Sequence, residues 1–526
     1  MKQFIILTLL FCSFQGYAQK TVKGYVFEDA NHNSVRDNNE QGIAGVGVSN
    51  GIEIAITDKN GYYELPAYEP MIVFVIKPTG YRIPVDSINL PKFYYIHKPH
   101  GSPPLNVSGS APTGPLPERV NFPLNRYDEP EEYKIIVFGD TQAFDWQLDY
   151  LKRGVVNNLI GVQGYAFGLT LGDDGFDPPL HLGRISRIIG QIGIPWYHLI
   201  GNHDHNYDAT DDKTASETFE SFYGPVTYSF NYGKVHYIVA DNTIHRPNDN
   251  KAVLYNGGLR EDQMQFLEND LRHVPDDYLV IFMAHIPLFD VVEEELYDGE
   301  RVHVIFRHKD RDRIFAALAK FPHTLSLSGH THYIRQHFFD ASENWPGAKP
   351  HHHLNAGAVC GSWWLGLLDQ YNLPGAMMRC GSPQGYFTLS FSGNQYVYDF
   401  HAIHIDTYRQ ISLFRKDSFL YANFFTGNQY SQLAYRINDG AWQPMQQTKM
   451  ETDPWTAAIR KQWDDVAPNA KVFDKVEGLP GLKPPEPRIC THLWKAKVNW
   501  SSFDKVEVQA TDMYGRIFKQ AAVYEQ

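Results

Sequence analysis

Five apolar runs in the middle of this chain each stop on residues that carry a carboxylate, an amide or an imidazole. "YKIIVFGD" ends at Asp140 and "YAFGLTLGDD" at Asp173 and Asp174. "PWYHLIGNHD" ends at Asn202, His203 and Asp204, "YLVIFMAHIP" passes through His285, and "HTLSLSGHTH" ends at His330 and His332. Short apolar runs without alternation read as strands covered on both faces. Segments of helical period separate them, among them "LREDQMQFLENDLRHV" and "RDRIFAALAKF". This alternation predicts an α/β domain, and in such sheets ligands gather beyond the carboxyl ends of the strands. A single histidine at a strand end is ordinarily a hydrogen-bonded polar group. Five donor-bearing strand ends in one domain point to a shared site.

The donor types narrow its chemistry. Aspartate, asparagine and histidine together suit divalent Mn, Fe or Zn, and the absence of cysteine disfavours a structural zinc site. Gln142 stands two residues after Asp140, where a histidine would be the stronger donor. Its neutral carbonyl oxygen is still an acceptable ligand for a hard divalent ion. Two such metals can share an aspartate, hold a bridging hydroxide and clamp both oxygens of an in-line displacement at phosphorus.

The motifs "GDTQ", "LGDDGFD", "IGNHD", "AHIP" and "SGHTH" resemble the calcineurin-like metallophosphoesterase family across roughly residues 133–340. Gln142 departs from the family's usual Asp-x-His. "NAGAVCGSWW" and "GSPQGYFTLSF" look like the bacterial secreted subgroup with flanking β domains. The resemblance implies that Asp140, Gln142, Asp173 and His332 surround one metal. Asp173, Asn202, His285 and His330 would surround the other. His203 would act on the phosphoryl group or the leaving oxygen, with Asp204 either orienting it or capping the next loop. The implied protein is a secreted dinuclear-metal phosphoesterase acting on phosphomonoesters or phosphodiesters. The alternative is a non-catalytic surface or glycan-binding protein with a residual phosphoesterase fold. His205, Trp363 and Trp364 are candidate substrate contacts, and Arg307, Arg335 and Arg379 are candidate phosphate-binding arginines.

The flanks have a different texture. Residues 20–95 alternate short apolar runs with turns and predict a small β-sandwich. The Pro/Gly/Ser-rich stretch over 96–132 reads as a linker. The catalytic α/β domain is expected at 133–349, as a four-layer β-sandwich flanked by helices. The region 350–526 returns to β texture and should end in a second sandwich. "DANHNSVRDNNE" places Asp29, Asn31, Asn33, Asp37 and Glu40 at the spacing of a calcium loop, although an Asx-rich turn accounts for them as well. Met1 to Ala18 read as a signal peptide cleaved near Ala18, which implies export to the periplasm or beyond. Of the four cysteines, three follow that segment; Cys360 and Cys380 are the pair that could form one bridge, and small apolar fillers are the other reading. The net charge of -13 excludes a nucleic-acid scaffold, and no later run is long and apolar enough to span a bilayer. A phosphate-ester substrate is implied, and the flanking domains hint that it is bulky or surface-bound.

Overall fold

A computed structural model of the chain describes residues 20–246, 255–295, 301–304, 306–403, 405–448, 450–499 and 505–521. The segment read as a signal peptide lies outside the described residues.

Two sheets stacked face to face form the centre. The five-stranded sheet runs, edge to edge, Trp196–His198, Tyr165–Thr170, Glu132–Phe138, Gly385–Ser392 and Gln395–Ala402. The six-stranded sheet runs Tyr228–Tyr232, Val235–Val239, Leu279–Met283, His323–Ser328, His351–Ala356 and Ile334–Phe339. The strands that carry the site pair in parallel, and antiparallel strands close the edges. The unbroken apolar runs follow from burial on both faces. Ile135 and Val137 point between the sheets, towards Ile281, Met283, Leu325 and Leu327. Ile136 and Phe138 point outwards, where helix Leu182–Ile189 covers them with Ile185 and Ile189. On the opposite flank Val280 and Phe282 meet Leu267, Ile314 and Phe315 of helices Glu261–Asp270 and His308–Leu318. Each strand therefore alternates between two cores rather than between core and water.

Ser326 and Ser328 interrupt this outer apolar face, and the "HHH" of the next strand explains why. The Ser326 hydroxyl bridges His351 Nε2 and His353 Nδ1, while Ser328 meets His353 Nε2. The three histidines thus sit on the strand His351–Ala356, with His351 and His353 turned to the serines.

Both flanks are β-sandwiches. At the N-terminal end, one sheet orders Tyr62–Pro66, Thr21–Glu28, Phe122–Arg126 and Tyr81–Arg82. Its partner orders Ile54–Ile56, Gly47–Ser49, Met71–Val75 and Tyr94–His97. The supposed linker over 96–132 therefore contributes a strand, Phe122–Arg126, which pairs in parallel with Thr21–Glu28. Its "VNFPLNR" alternates inward Phe122 and Leu124 with outward neighbours, a pattern short enough to be hidden by the prolines before it. The sandwich is tied to the centre by Phe74 against Phe266, ring centroids 5.5 Å apart, and by a buried ion pair, Lys77 Nζ to Glu129 Oε1 at 2.5 Å. At the other end, residues 351–402 supply three strands of the central sheets, His351–Ala356, Gly385–Ser392 and Gln395–Ala402, so the catalytic fold runs past residue 349. The C-terminal sandwich follows, its core built around Leu413, Leu420, Phe424, Trp494 and Val508.

The calcium-like loop closes on itself. Asn31 and Asn33 donate their side-chain amides to Asp37 Oδ2, Asp29 accepts the N–H groups of Asn33 and Ser34, and Glu40 accepts those of Ala30 and Asp37. This is the hydrogen bonding of an Asx-rich turn. Cys360, Cys380 and Cys490 are all buried and unbridged, so the Cys360–Cys380 pairing is not made.

Candidate metal centre

Every donor strand delivers its polar residue to the same end of the double sheet. Asp140, Asp173 and Asn202 follow strands of the five-stranded sheet, while His285, His330 and His332 follow strands of the six-stranded one. His330 Nδ1 lies 2.8 Å from Asn202 Oδ1 and 3.2 Å from His285 Nε2. His285 Nε2 in turn lies 3.1 Å from Asn202 Oδ1 and 3.2 Å from Asp173 Oδ2. Among the described residues, Asp173, His285 and His330 are the one group of three His, Cys, Asp or Glu side chains whose donor atoms lie within 4.8 Å of one another. Beside them His332 Nε2 stands 3.1 Å from Asp140 Oδ2.

Backbone conformation shows how tightly these loops are drawn in. Asp173, His330 and His332 all have left-handed φ, at 52°, 74° and 54°. Non-glycine residues adopt that region at a cost of about 1–3 kcal/mol each, and such residues concentrate at functional sites. Glycines precede the donors where the loops approach closest. A Cβ on Gly172 would stand 2.6 Å from His285 Nδ1, and one on Gly201 would stand 2.9 Å from Asp173 Cγ. The Gly-Asp, Gly-Asn and Gly-His pairs of the sequence are therefore packing requirements of the donor cluster itself.

The electrostatics suit a cation. Burial penalises every charge here. Against that penalty Asp173 lifts His285 to about 9, while His285 and His203 hold the Asp173 carboxyl well below the usual carboxylate range. His332, opposed by burial, is pushed well up by Cys360 and Asp140. Protons on imidazoles neutralise the carboxylates where a divalent ion would otherwise do so. Gln142 gives the most direct test of fit. It is fully buried, and neither its Oε1 nor its Nε2 has a hydrogen-bond partner. A buried amide left unpaired costs about 1–3 kcal/mol on mutational scales. Its loop is held by the Trp364 indole N–H, which donates to the carbonyls of Thr141 and Gln142. A carbonyl oxygen kept free at the edge of a carboxylate and imidazole cluster fits a metal ligand.

The residues expected around this cluster divide. His203 sits over it, its backbone N–H donated to Asp173 Oδ1. Its orienting carboxylate is Asp177, at 3.0 Å from Nδ1. Asp204, expected in that role, instead accepts the backbone N–H groups of Gly201, Asp174 and Gly175, and so braces two donor loops against each other. His205 is fully buried with its ring 3.4 Å from Asp241, closed to solvent. Trp363 packs against His332, ring centroids 4.7 Å apart, and walls the site. Trp364 is 2 % exposed and serves the Gln142 loop from beneath. Arg307 pairs with Asp310 and Arg335 lies over Phe289. Arg379 is the arginine beside the site: its backbone N–H donates to the His332 carbonyl and its guanidinium lies 5.9 Å from the Trp363 ring. From the sequence, Asp174 and Asp177 each read as a helix cap or as a group that holds a site residue in place, and Asp177 takes the second part towards His203. The cue was present in "GDDGFD", where an aspartate follows the second donor by four residues.

Three family models match the chain. Residues 133–333 match calcineurin-like phosphoesterase, residues 29–105 its N-terminal companion and residues 353–518 its C-terminal one. Solved structures resemble it weakly. A purple acid phosphatase from yellow lupin (Lupinus luteus) seeds is 13% identical with TM-score 0.35, covering 73% of this chain and 66% of its own. A phosphatase from Mycoplasma pneumoniae is 9% identical with TM-score 0.27, covering 52% of this chain and 95% of its own. Vps29 from Chaetomium thermophilum is 9% identical with TM-score 0.20, covering 59% of this chain and 93% of its own. No curated protein sequence matches the chain.

Proposed function

Because this chain belongs to the calcineurin-like phosphoesterase family, with both of that family's flanking domains, and is a metal-dependent phosphoric ester hydrolase, we propose that it is an exported enzyme with a two-metal centre. The observation that supports the dinuclear reading is the convergence of donors from both sheets: Asp173, Asn202, His285 and His330 meet at 2.8–3.2 Å, His332 meets Asp140 beside them, and the Gln142 amide, whose loop is bonded to the Asp173 carbonyl, is buried without a partner. Asp140, Gln142, Asp173 and His332 would hold one ion, and Asp173, Asn202, His285 and His330 the second. Bound there, divalent Mn, Fe or Zn would polarise the phosphoryl group and activate water. With Gln142 in place of an imidazole, the first position favours Mn or Fe over Zn.

The protein's own groups do the rest. Asp177 engages His203 Nδ1, which leaves Nε2 as the nitrogen that faces substrate. Asp177 and Asp173 raise the His203 pKa to about 10 against burial, so the ring carries a proton to give to the leaving oxygen. Trp363 covers His332 and keeps water from that side. Mono- and diesters both fit this machinery. Export rests on the segment before residue 19 and is part of the proposal.

The test is hydrolysis of p-nitrophenyl phosphate and of its bis ester by the purified protein supplied with Mn. Asp173→Ala and His203→Ala should each abolish it. Unchanged turnover in either variant would remove the site assignment.

A further inference from the structure

A cleft of about 970 Å³ opens directly beside the donor cluster, and its lining is unlike that cluster in every respect. Phe144, Trp364 and Phe473 form its inner end. Phe144 is stacked on Phe176 with centroids 3.8 Å apart, and Phe176 packs against His203 at 5.8 Å. Phe473 lies 6.3 Å from Trp363, the ring that covers His332. The cleft therefore begins where the phosphoryl group would be held. Its far wall is aliphatic, from Leu368, Val476, Leu479 and Leu482, and Trp146 stands half-exposed on the rim.

The C-terminal region builds much of this wall. Gly481–Leu482 pairs with Gly366–Leu367, just after the two tryptophans. Lys483, buried at 1 % exposure, fixes the same loop by an ion pair to Asp464 on helix Pro454–Val466.

We infer that the cleft receives the non-reacting portion of the substrate and that this portion is a hydrocarbon chain, making the substrate class a phosphate ester of lipid-like character. The inference rests on the phosphoesterase reading above. Polarity selects the occupant. A sugar or a nucleoside placed here would bury hydroxyls and ring nitrogens, each of which needs a partner. The charged lining side chains, Lys475 and Glu477, are exposed, the Trp364 indole N–H is already donated to Thr141 and Gln142, and the Tyr150 hydroxyl and the Trp146 indole N–H on the rim are too few to partner the hydroxyls of a sugar or the ring nitrogens and hydroxyls of a nucleoside. A hydrocarbon asks for no partner and gains from leaving water. The volume is also at the upper end of the range for small-molecule sites, about 300–1,000 Å³.

The test separates this inference from catalysis by using n-alkylphosphonates, which cannot be hydrolysed at a P–O ester bond. Their binding to the Mn-loaded protein, from methyl to octyl, is measured by calorimetry below the micelle concentration. Burial of a methylene contributes about a fourfold gain in affinity. A fall in Kd on the order of a hundredfold or more from methyl to octyl is expected. Leu479→Asp should flatten the series, and 8-bromooctylphosphonate should quench less fluorescence in Trp146→Phe than in the parent. A Kd independent of chain length overturns the inference even in an active esterase. So does a slope that survives Leu479→Asp, or quenching equal in Trp146→Phe and parent, since the chain would then bind elsewhere. A steep series in a protein that cleaves no phosphate ester would sink the enzymatic reading and leave the apolar cleft standing.

Discussion

Gly201→Ala is the substitution that most sharply tests how the donor cluster is packed. Gly201 has φ -113° and ψ 177°, a conformation open to any residue, so no backbone penalty attends the change. The whole effect comes from the added methyl. That Cβ would stand 2.9 Å from Asp173 Cγ and closer still to the Oδ1 atom and backbone nitrogen of the same residue. Relief to ordinary contact requires Asp173 or the Gly201 loop to move by roughly 1 Å, and a misplacement of that size at a reacting centre costs on the order of 100-fold in rate. Asp173 also accepts the His203 N–H, so the shift reaches the proton donor as well. Overpacking should cost about 1–3 kcal/mol of stability. The assays are metal content by mass spectrometry, kcat/KM on bis-p-nitrophenyl phosphate and thermal unfolding. Gly175→Ala is the matched control two residues past Asp173, where the nearest neighbour of a new Cβ is Ile185 Cδ1 at 3.6 Å. It should keep metal and activity within about twofold, because the buried methyl makes only that ordinary contact. Parental metal content and parental kcat/KM in Gly201→Ala would refute the claim that these glycines exist to let donors approach.

Further expectations concern individual side chains. His203→Ala should lower kcat by about 10²–10⁴ with metal content unchanged, and Asp177→Asn should lower it by a smaller factor, read from steady-state kinetics. Gln142→Ala should reduce bound metal towards one ion per chain, whereas Gln142→His should retain two and shift preference towards zinc; elemental analysis after reconstitution decides. Lys77→Met strands the buried Glu129 carboxylate between the N-terminal sandwich and the centre, and denaturant unfolding should show a loss of about 3–5 kcal/mol. Breaking that pair should leave the metal content of the folded protein intact.

What could be read from sequence was what depends on local pattern. The donor strands were legible because burial on both faces writes itself as an unbroken apolar run, and a polar residue at its end then stands out. Ile135 to Phe138 followed by Gly139 and Asp140 needs no partner to be recognised. Partners were harder, because they are set by loops whose course is fixed only when both sheets are in place. Asp204 is the nearest carboxylate to His203 along the chain, yet the ring meets Asp177, and Asp204 caps backbone N–H groups instead. His205 lies one residue further on and points into the core, to Asp241. Three successive residues take three different partners, and no spacing rule anticipates which. The strand at Phe122–Arg126 was obscured for a different reason: its hydrogen-bonding partner lies some hundred residues earlier, behind a proline-rich approach. The wall supplied by residues 471–483 carries no motif, since an apolar cleft demands shape and not residue identity.

Four of the donors follow strands of one sheet and three follow strands of the other. A nascent or partly unfolded chain in which either sheet stands alone offers only three or four of them, on mobile loops. Metal affinity is then a property of the docked pair of sheets, and ion binding adds its free energy to docking alone. Chelation should therefore loosen the seam between the sheets before it melts either one, and protease sensitivity that appears first in the loops around Asp140, Asp173 and His330 would be the sign of it.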